Sequence, residues 1–182
     1  MQRRLLYLQF HIDANLINSK QKLPEVNQLE WWEANEVILI VMSGTARKEA
    51  LVGNDRLRTG KTNQRIFTLS DEDTPIEGST LYVTVDQILF PGGAANENQR
   101  NDVLIICEAH KYGAILVTGD GGSKRQPRGI LGSREVLKHL VTIMSPVEAV
   151  GHVRNKIAQR DEHNRRVVRE FGGALPSWTG AD

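Results

Sequence analysis

Four carboxylates stand where a folded chain can bring them together: Asp13, Glu49, Asp102 and Asp120. Asp13 ends the apolar run LLYLQFHI, an awkward place for a charge, because burying an unpaired carboxylate is costly. Asp120 ends a second apolar run in AILVTGDGG, Asp102 opens the periodic segment before that run, and Glu49 lies in ARKEAL after a third. Taken singly, each acid has an ordinary structural role. Asp102 reads as a first-turn helix carboxylate favoured by the helix dipole, Glu49 as part of a solvated helix face, and Asp120 as a turn residue before glycines. As a set they are harder to dismiss, since carboxylates within a few ångströms repel one another and must share protons or hold a cation. All-oxygen donors suit Mg²⁺ or Mn²⁺, ions that bridge phosphate oxygens, activate an attacking water and stabilise a leaving oxygen. The natural chemistry is hydrolysis of a phosphodiester.

The elements that position these acids follow from periodicity. Apolar, β-branched stretches predict buried strands over Leu5 to Ile12, Glu36 to Met42, Ala114 to Thr118 and Leu140 to Met144. Between them lie helical patterns: a short start from Asn15, a helix capped by Ser43 and running through Leu51, and a helix over Asp102 to Tyr112 stopped by Gly113. The alternation predicts an α/β fold with a mainly parallel sheet. In such a sheet ligands gather outside the carboxyl ends of the strands, the edge to which Asp13 and Asp120 belong. Residues 53–100 are less regular, with basic Arg56, Arg58, Lys61 and Arg65 and an acidic turn at Asp71, Glu72 and Asp73. The run TLYVTVDQILF suits strand or helix. After Pro146 a long polar helix is expected to about Arg169, with a broken apolar stripe able to dock on its own domain, a second subunit or nucleic acid. The closing GGALPSWTGAD has no periodicity and reads as a tail.

Asp13-Ala14-Asn15 after a hydrophobic strand, Glu49 in ARKEAL, and above all NQRNDVLIICEAHKYGAILVTGDGG (98–122) resemble the PIN-domain ribonuclease family. The resemblance covers roughly residues 5–148, loosely over 53–97, so 1–148 reads as the nuclease domain and 149–182 as an added helix and tail. It implies a Rossmann-like three-layer α/β/α sandwich, divalent-metal-dependent cleavage of RNA leaving a 5′-phosphate and a 3′-hydroxyl, and Asp13, Glu49, Asp102 and Asp120 as the metal-binding, catalytic acids. Asn15 and Thr118 match the family's secondary polar positions, beside their bland readings as a helix-start and a β-branched strand residue. Where many relatives carry a further polar or acidic residue after the last acid, this chain has Gly121, Gly122 and Ser123. One metal is then held firmly and a second weakly, with Ser123 as a substitute ligand. A toxin of a toxin–antitoxin pair is one member type implied; an antitoxin or other protein and a second copy of the chain are the candidate partners beside RNA. The alternative is a PIN-fold RNA- or protein-binding module without catalysis, and, further off, a small-molecule phosphatase.

Composition sets the outer bounds. A chain of 182 residues, 40% hydrophobic and 25% charged with a formal charge of +1, is an ordinary globular protein whose net charge names no partner. The sole cysteine, Cys107, excludes an intrachain disulfide and fits a reducing, cytoplasmic compartment. The start MQRRLLYLQF meets His11 and Asp13 too soon for a signal peptide, and no stretch approaches the roughly 20 apolar residues of a membrane span. LRTGKT and GDGGSK miss the phosphate-loop spacing, with Asp55 and Lys124 standing where glycine is required. The five histidines form no i,i+4 zinc pair. His11 shares strand parity with Asp13 and either flanks the site or is a satisfied sheet residue. Arg47 and Lys48 beside Glu49, with Arg56, Arg58, Lys61 and Arg65, and Lys124, Arg125 and Arg128 after Asp120, are candidates for holding RNA phosphates. Trp31 and Trp32, read as following the first helix, are expected to divide between core packing and stacking on a base or partner.

Overall fold

Parallel strands covered on both faces are near-continuous apolar runs: LIVM and ILV build β2 (Leu39–Met42) and β4 (Ile115–Val117), and QFHI, with Gln9 and His11 between apolar residues, builds β1 (Gln9–Ile12). The computed structural model describes residues 1–182 apart from 6, 7, 18, 19, 21, 66, 69–77 and 123–127. With β3 (Phe67–Thr68) and β5 (Ile143–Met144) these strands form a five-stranded sheet, parallel at every pairing, in the order β3-β2-β1-β4-β5. The crossovers carry α1 (Pro24–Ala34), α2 (Gly44–Ala50), α3 (Arg56–Arg65), α4 (Thr80–Leu89), α5 (Glu97–Lys111) and α6 (Gly129–Leu137), and α7 (Pro146–Phe171) follows β5. α1 packs on α7 in one layer, while α4 packs on α5 and α6, and α5 on α2, in the other. The architecture is a three-layer α/β/α sandwich. Phe10, Ile40, Met42, Leu116, Ile105 and Ile106 are buried at its centre, each such side chain contributing about 1.5–3 kcal/mol of apolar transfer.

Local signals place most element ends. Ser43 caps α2 by accepting a hydrogen bond from Ala46 N, and Gly113, at φ 59°, receives the chain as it leaves α5 in the left-handed region that favours glycine. Ser145 and Glu148 form a reciprocal capping box at the start of α7 with Pro146 in its first turn.

The structure settles one open reading, adds one strand and changes two expectations. TLYVTVDQIL is helix α4, with Tyr82, Val85 and Leu89 buried at helical spacing. Strand β3 carried no sequence signal. α5 begins at Glu97, capped by Asn96, so Asp102 lies in its second turn and the first-turn dipole role does not apply to it. Trp31 and Trp32 lie inside α1 rather than after it, Trp32 buried and Trp31 44% exposed. The acidic turn at Asp71, Glu72 and Asp73 lies outside the described residues. Among the described residues no helix is long and apolar enough to cross a membrane.

The last residues are more ordered than their sequence suggests. Val150, Val153 and Ile157 of α7 join the core, and the chain after α7 folds back along it. Gly180 N donates to Asp161 Oδ2 at 2.7 Å, and Trp178 stacks against the Arg160 guanidinium at 4.4 Å. Arg160 Nη1 donates to Arg3 O at 2.7 Å, and its Nη2 reaches the Asp182 carboxylate at 2.9 Å, which Arg3 Nε also meets at 3.0 Å. The Asp182 side chain is fully buried in this clamp, so neutralising it takes the carboxylate partner from Arg3 and leaves Arg160 with Asp161 alone. Asp182→Asn is expected to cost about 2 kcal/mol in urea unfolding, whereas Glu135→Gln, in an exposed pair with Lys138, costs at most about 0.5 kcal/mol.

Candidate active site

Asp13 and Asp120 leave neighbouring strands at the same edge. β1 and β4 pair in register up to Ile12 opposite Val117, and Asp13 N continues the ladder by donating to Val117 O at 3.0 Å. Thr118, the next residue of the partner strand, is fully buried, and its hydroxyl donates to Asp13 Oδ2 at 2.6 Å while accepting from Asp120 N at 3.0 Å. Asn15 completes the mesh: its Nδ2 donates to Asp13 Oδ2 at 2.8 Å and its Oδ1 accepts from Gly119 N at 3.2 Å. One hydroxyl and one amide therefore lock two acids that are distant in sequence. Asp120 accepts from Gly122 N at 3.2 Å through Oδ1 and from Ile130 N, in the first turn of α6, at 2.8 Å through Oδ2. This contact requires the glycine at 129, whose φ is 56° and where a Cβ would collide with Gly122 N and lie 2.8 Å from Asp120 O and Oδ2.

Glu49 on α2 and Asp102 on α5 reach the same place. An open cavity of about 460 Å³ is lined by Asp13, Ala14, Asn15, Glu49, Val52, Arg58, Asn98, Asp102 and Asp120. Burial pushes the Asp102 carboxyl up to about 7, with further upward pressure from Asp120, Asp13 and Glu49. Burial also raises Asp13, opposed by the hydrogen bonds from Thr118 and from the backbone of Asn15 and Ala14. Glu49 is raised by burial as well, while a hydrogen bond with Asn101 and the nearby charge of Arg58 pull it down. The cavity is thus an acid cluster short of positive charge.

The donor set fits a hard divalent cation: oxygen donors only, with repulsion that a cation relieves. Among the described residues no group of three His, Cys, Asp or Glu side chains is drawn tightly enough to hold a metal ion as it stands. Asp13 and Asp120 are already turned toward hydrogen-bond donors, so closing a cage requires side chains to rotate.

All four predicted acids and Asn15 line the cavity, and Thr118 stands directly behind it. Arg47 and Lys48 do not line it; Arg47 is directed to Asn63 Oδ1 at 3.2 Å. Ser123, Lys124 and Arg125 lie outside the described residues. His11 is buried in the sheet beside the Tyr112 ring, 5.8 Å between centroids, and Trp31 belongs to a different hollow beside Arg154. Cys107 is inert, its thiol pushed up to about 12 by burial and by Glu108. Of the basic residues read as candidates for holding RNA phosphates, Arg58 lines the cavity; Asn98 escaped the sequence reading. Asn98 precedes Asp102 by four residues and so shares its helix face, a spacing that identifies it.

No family model matches the chain, and no curated protein matches it. Solved structures similar to the chain include two FitAB-type complexes. FitAcB from Neisseria gonorrhoeae is 16% identical, with 75% of this chain and 97% of that chain covered at a TM-score of 0.44. FitAB bound to an IR36 DNA fragment is 15% identical, with 75% and 94% covered at a TM-score of 0.43. Both likenesses are distant, so the function proposed below rests on this chain's own residues.

Proposed function

We propose that the cavity is the active site of a PIN-type, divalent-metal-dependent endoribonuclease. The observation that carries this reading is the convergence of Asp13, Glu49, Asp102 and Asp120, from four separate segments, on one cavity. Asp13, Asp102 and Asp120 are the residues to hold Mg²⁺ or Mn²⁺, with Glu49 completing the set or orienting the attacking water. The ion supplies Lewis acidity toward the phosphate and neutralises the acids. Thr118 and Asn15 hold the Asp13 carboxylate in one orientation, which limits the reorganisation needed when substrate arrives. The Asn98 amide adds a neutral donor and acceptor to the same cavity. Cleavage leaving a 5′-phosphate and a 3′-hydroxyl belongs to the same reading through the family resemblance.

The test is incubation of end-labelled RNA with Mn²⁺ or Mg²⁺ beside a chromogenic phosphate monoester. Metal-dependent RNA fragments with an unreactive monoester are expected; turnover of the monoester alone sinks the nuclease reading in favour of a phosphatase.

A second reading, a PIN-fold module that binds RNA or protein without cutting, draws on a specific observation. Both Asp120 oxygens accept backbone N–H bonds, and among the described residues no three His, Cys, Asp or Glu side chains are close enough together to hold a metal ion as they stand. Calorimetric Mn²⁺ binding that disappears in Asp120→Asn counts against this module. An antitoxin-type protein partner belongs with the nuclease reading, and a neighbouring small gene for a DNA-binding protein would support it.

A further inference from the structure

We infer that Arg58 receives a backbone phosphate of the bound RNA at the edge of the acid cavity, a contact that rests on RNA being the substrate. A cavity walled by Asp13, Glu49, Asp102 and Asp120 repels a polyanion, so a nucleic-acid site there needs a cation of its own chain beside any metal. Arg58 is the cationic side chain on the cavity wall among the described residues.

Its position is fixed by the backbone. Asp55 Oδ1 accepts from Leu57 N and Arg58 N, both at 3.0 Å, which sets the first turn of α3. From there Arg58 Nε donates to Ala50 O at 2.9 Å and Nη2 donates to Ala14 O at 3.0 Å. Ala50 follows Glu49 and Ala14 follows Asp13, so the guanidinium is pinned between the segments that carry these two acids.

The pinning leaves donors unused. A guanidinium has five N–H groups, of which these two carbonyls take two. No other hydrogen bond or direct ion pair of the Arg58 guanidinium occurs among the described residues. The remaining N–H groups, both on Nη1 among them, form a planar fork suited to two oxygens of one phosphate. Neighbouring basic residues are directed elsewhere: Lys61 pairs with Glu30 at 2.6 Å, and Arg47 is bound to Asn63. A purely structural strut would need the two carbonyl contacts but no place on the cavity wall.

The experiment measures anisotropy of a fluorescent single-stranded RNA across a KCl series with Ca²⁺ replacing Mn²⁺. It compares wild type, Arg58→Gln and Arg58→Lys, with urea unfolding and Mn²⁺-dependent cleavage run in parallel. Loss of one phosphate contact in Arg58→Gln should reduce the slope of log K against log salt by about 0.7 and kcat/KM by about tenfold or more. Arg58→Lys should recover the slope, because the charge remains, and leave the rate low, because an ammonium cannot span both carbonyls and a phosphate. An unchanged slope in a folded Arg58→Gln overturns the contact even if cleavage falls, since a strut alone would produce that pattern. Wild type that binds RNA with an Arg58-dependent slope yet cuts none keeps the contact and overturns the nuclease reading. Wild type that binds no RNA overturns the contact.

Discussion

Asp102→Asn is expected to abolish RNA cleavage and, at the same time, to stabilise the metal-free protein. In the folded, metal-free chain Asp102 holds its proton up to about 7, against 3.8 for an ordinary aspartate. Between those values the unfolded chain binds fewer protons than the folded one, so stability falls as pH rises through this window. Asparagine has no proton to lose and escapes the penalty. In EDTA at about pH 8 the variant should therefore exceed wild type by roughly 2–4 kcal/mol, and the difference should vanish below about pH 4. Mn²⁺ at about 1,000 times its Kd should reverse the order, because an ion bound only by the folded state then stabilises wild type by about 4.1 kcal/mol. Cleavage should drop about 100-fold or more. Urea unfolding at both pH values, with and without Mn²⁺, reads all of this. A variant less stable than wild type in EDTA at the higher pH would mean that Asp102 is a structural acid, not a member of a repelling cluster.

The second large effect concerns His11, which lies on β1 between β2 and β4, with Val41 and Leu116 as its register partners. Neither ring nitrogen has a hydrogen-bond partner among the described residues, and burial lowers the imidazole from 6.5 to about 4. The folded state thus keeps His11 neutral while the unfolded chain takes up a proton below 6.5. Its contribution is fully present above that value and is lost as pH falls toward 4, amounting to about 3 kcal/mol. Asp102 runs in the opposite direction over much of the same range, so the wild-type profile alone separates neither group. The difference between wild type and His11→Leu does: relative to wild type, the variant should gain about 3 kcal/mol on acidification from pH 7 to about 4. A constant difference across that range would show that His11 does not stay neutral in the fold.

Legibility differed between kinds of element. β1, β2 and β4 were readable because a parallel strand covered on both faces is a near-continuous apolar run, and Ser43 and Gly113 because a cap is a local, side-chain-specific hydrogen bond or dihedral. TLYVTVDQIL stayed open between strand and helix because β-branched Val and Thr suit strands, and burial of Tyr82, Val85 and Leu89 on one face decided for helix. The start of α5 was placed too late because its first turn, ENQRN, is polar and shows no apolar period, although Asn96 is an ordinary cap. The tail after α7 looked featureless because its order comes from Arg3, Arg160 and Asp161, none of which belongs to it.

What the sequence determined by itself is the chemistry on offer and its approximate placement. It supplies oxygen donors at the ends of buried strands and on the helices between them, within an α/β alternation that sends the strand-end acids to one edge. The tertiary structure alone decided how they meet. Thr118 reaches Asp13 across 105 residues of chain, Arg58 is aimed by the carbonyls of Ala14 and Ala50, and Asp102 gains its proton affinity from burial and from three acids of other segments. Hydrogen bonds, desolvation and charge repulsion act over a few ångströms of space, and a linear sequence records spacing along the chain, not those distances.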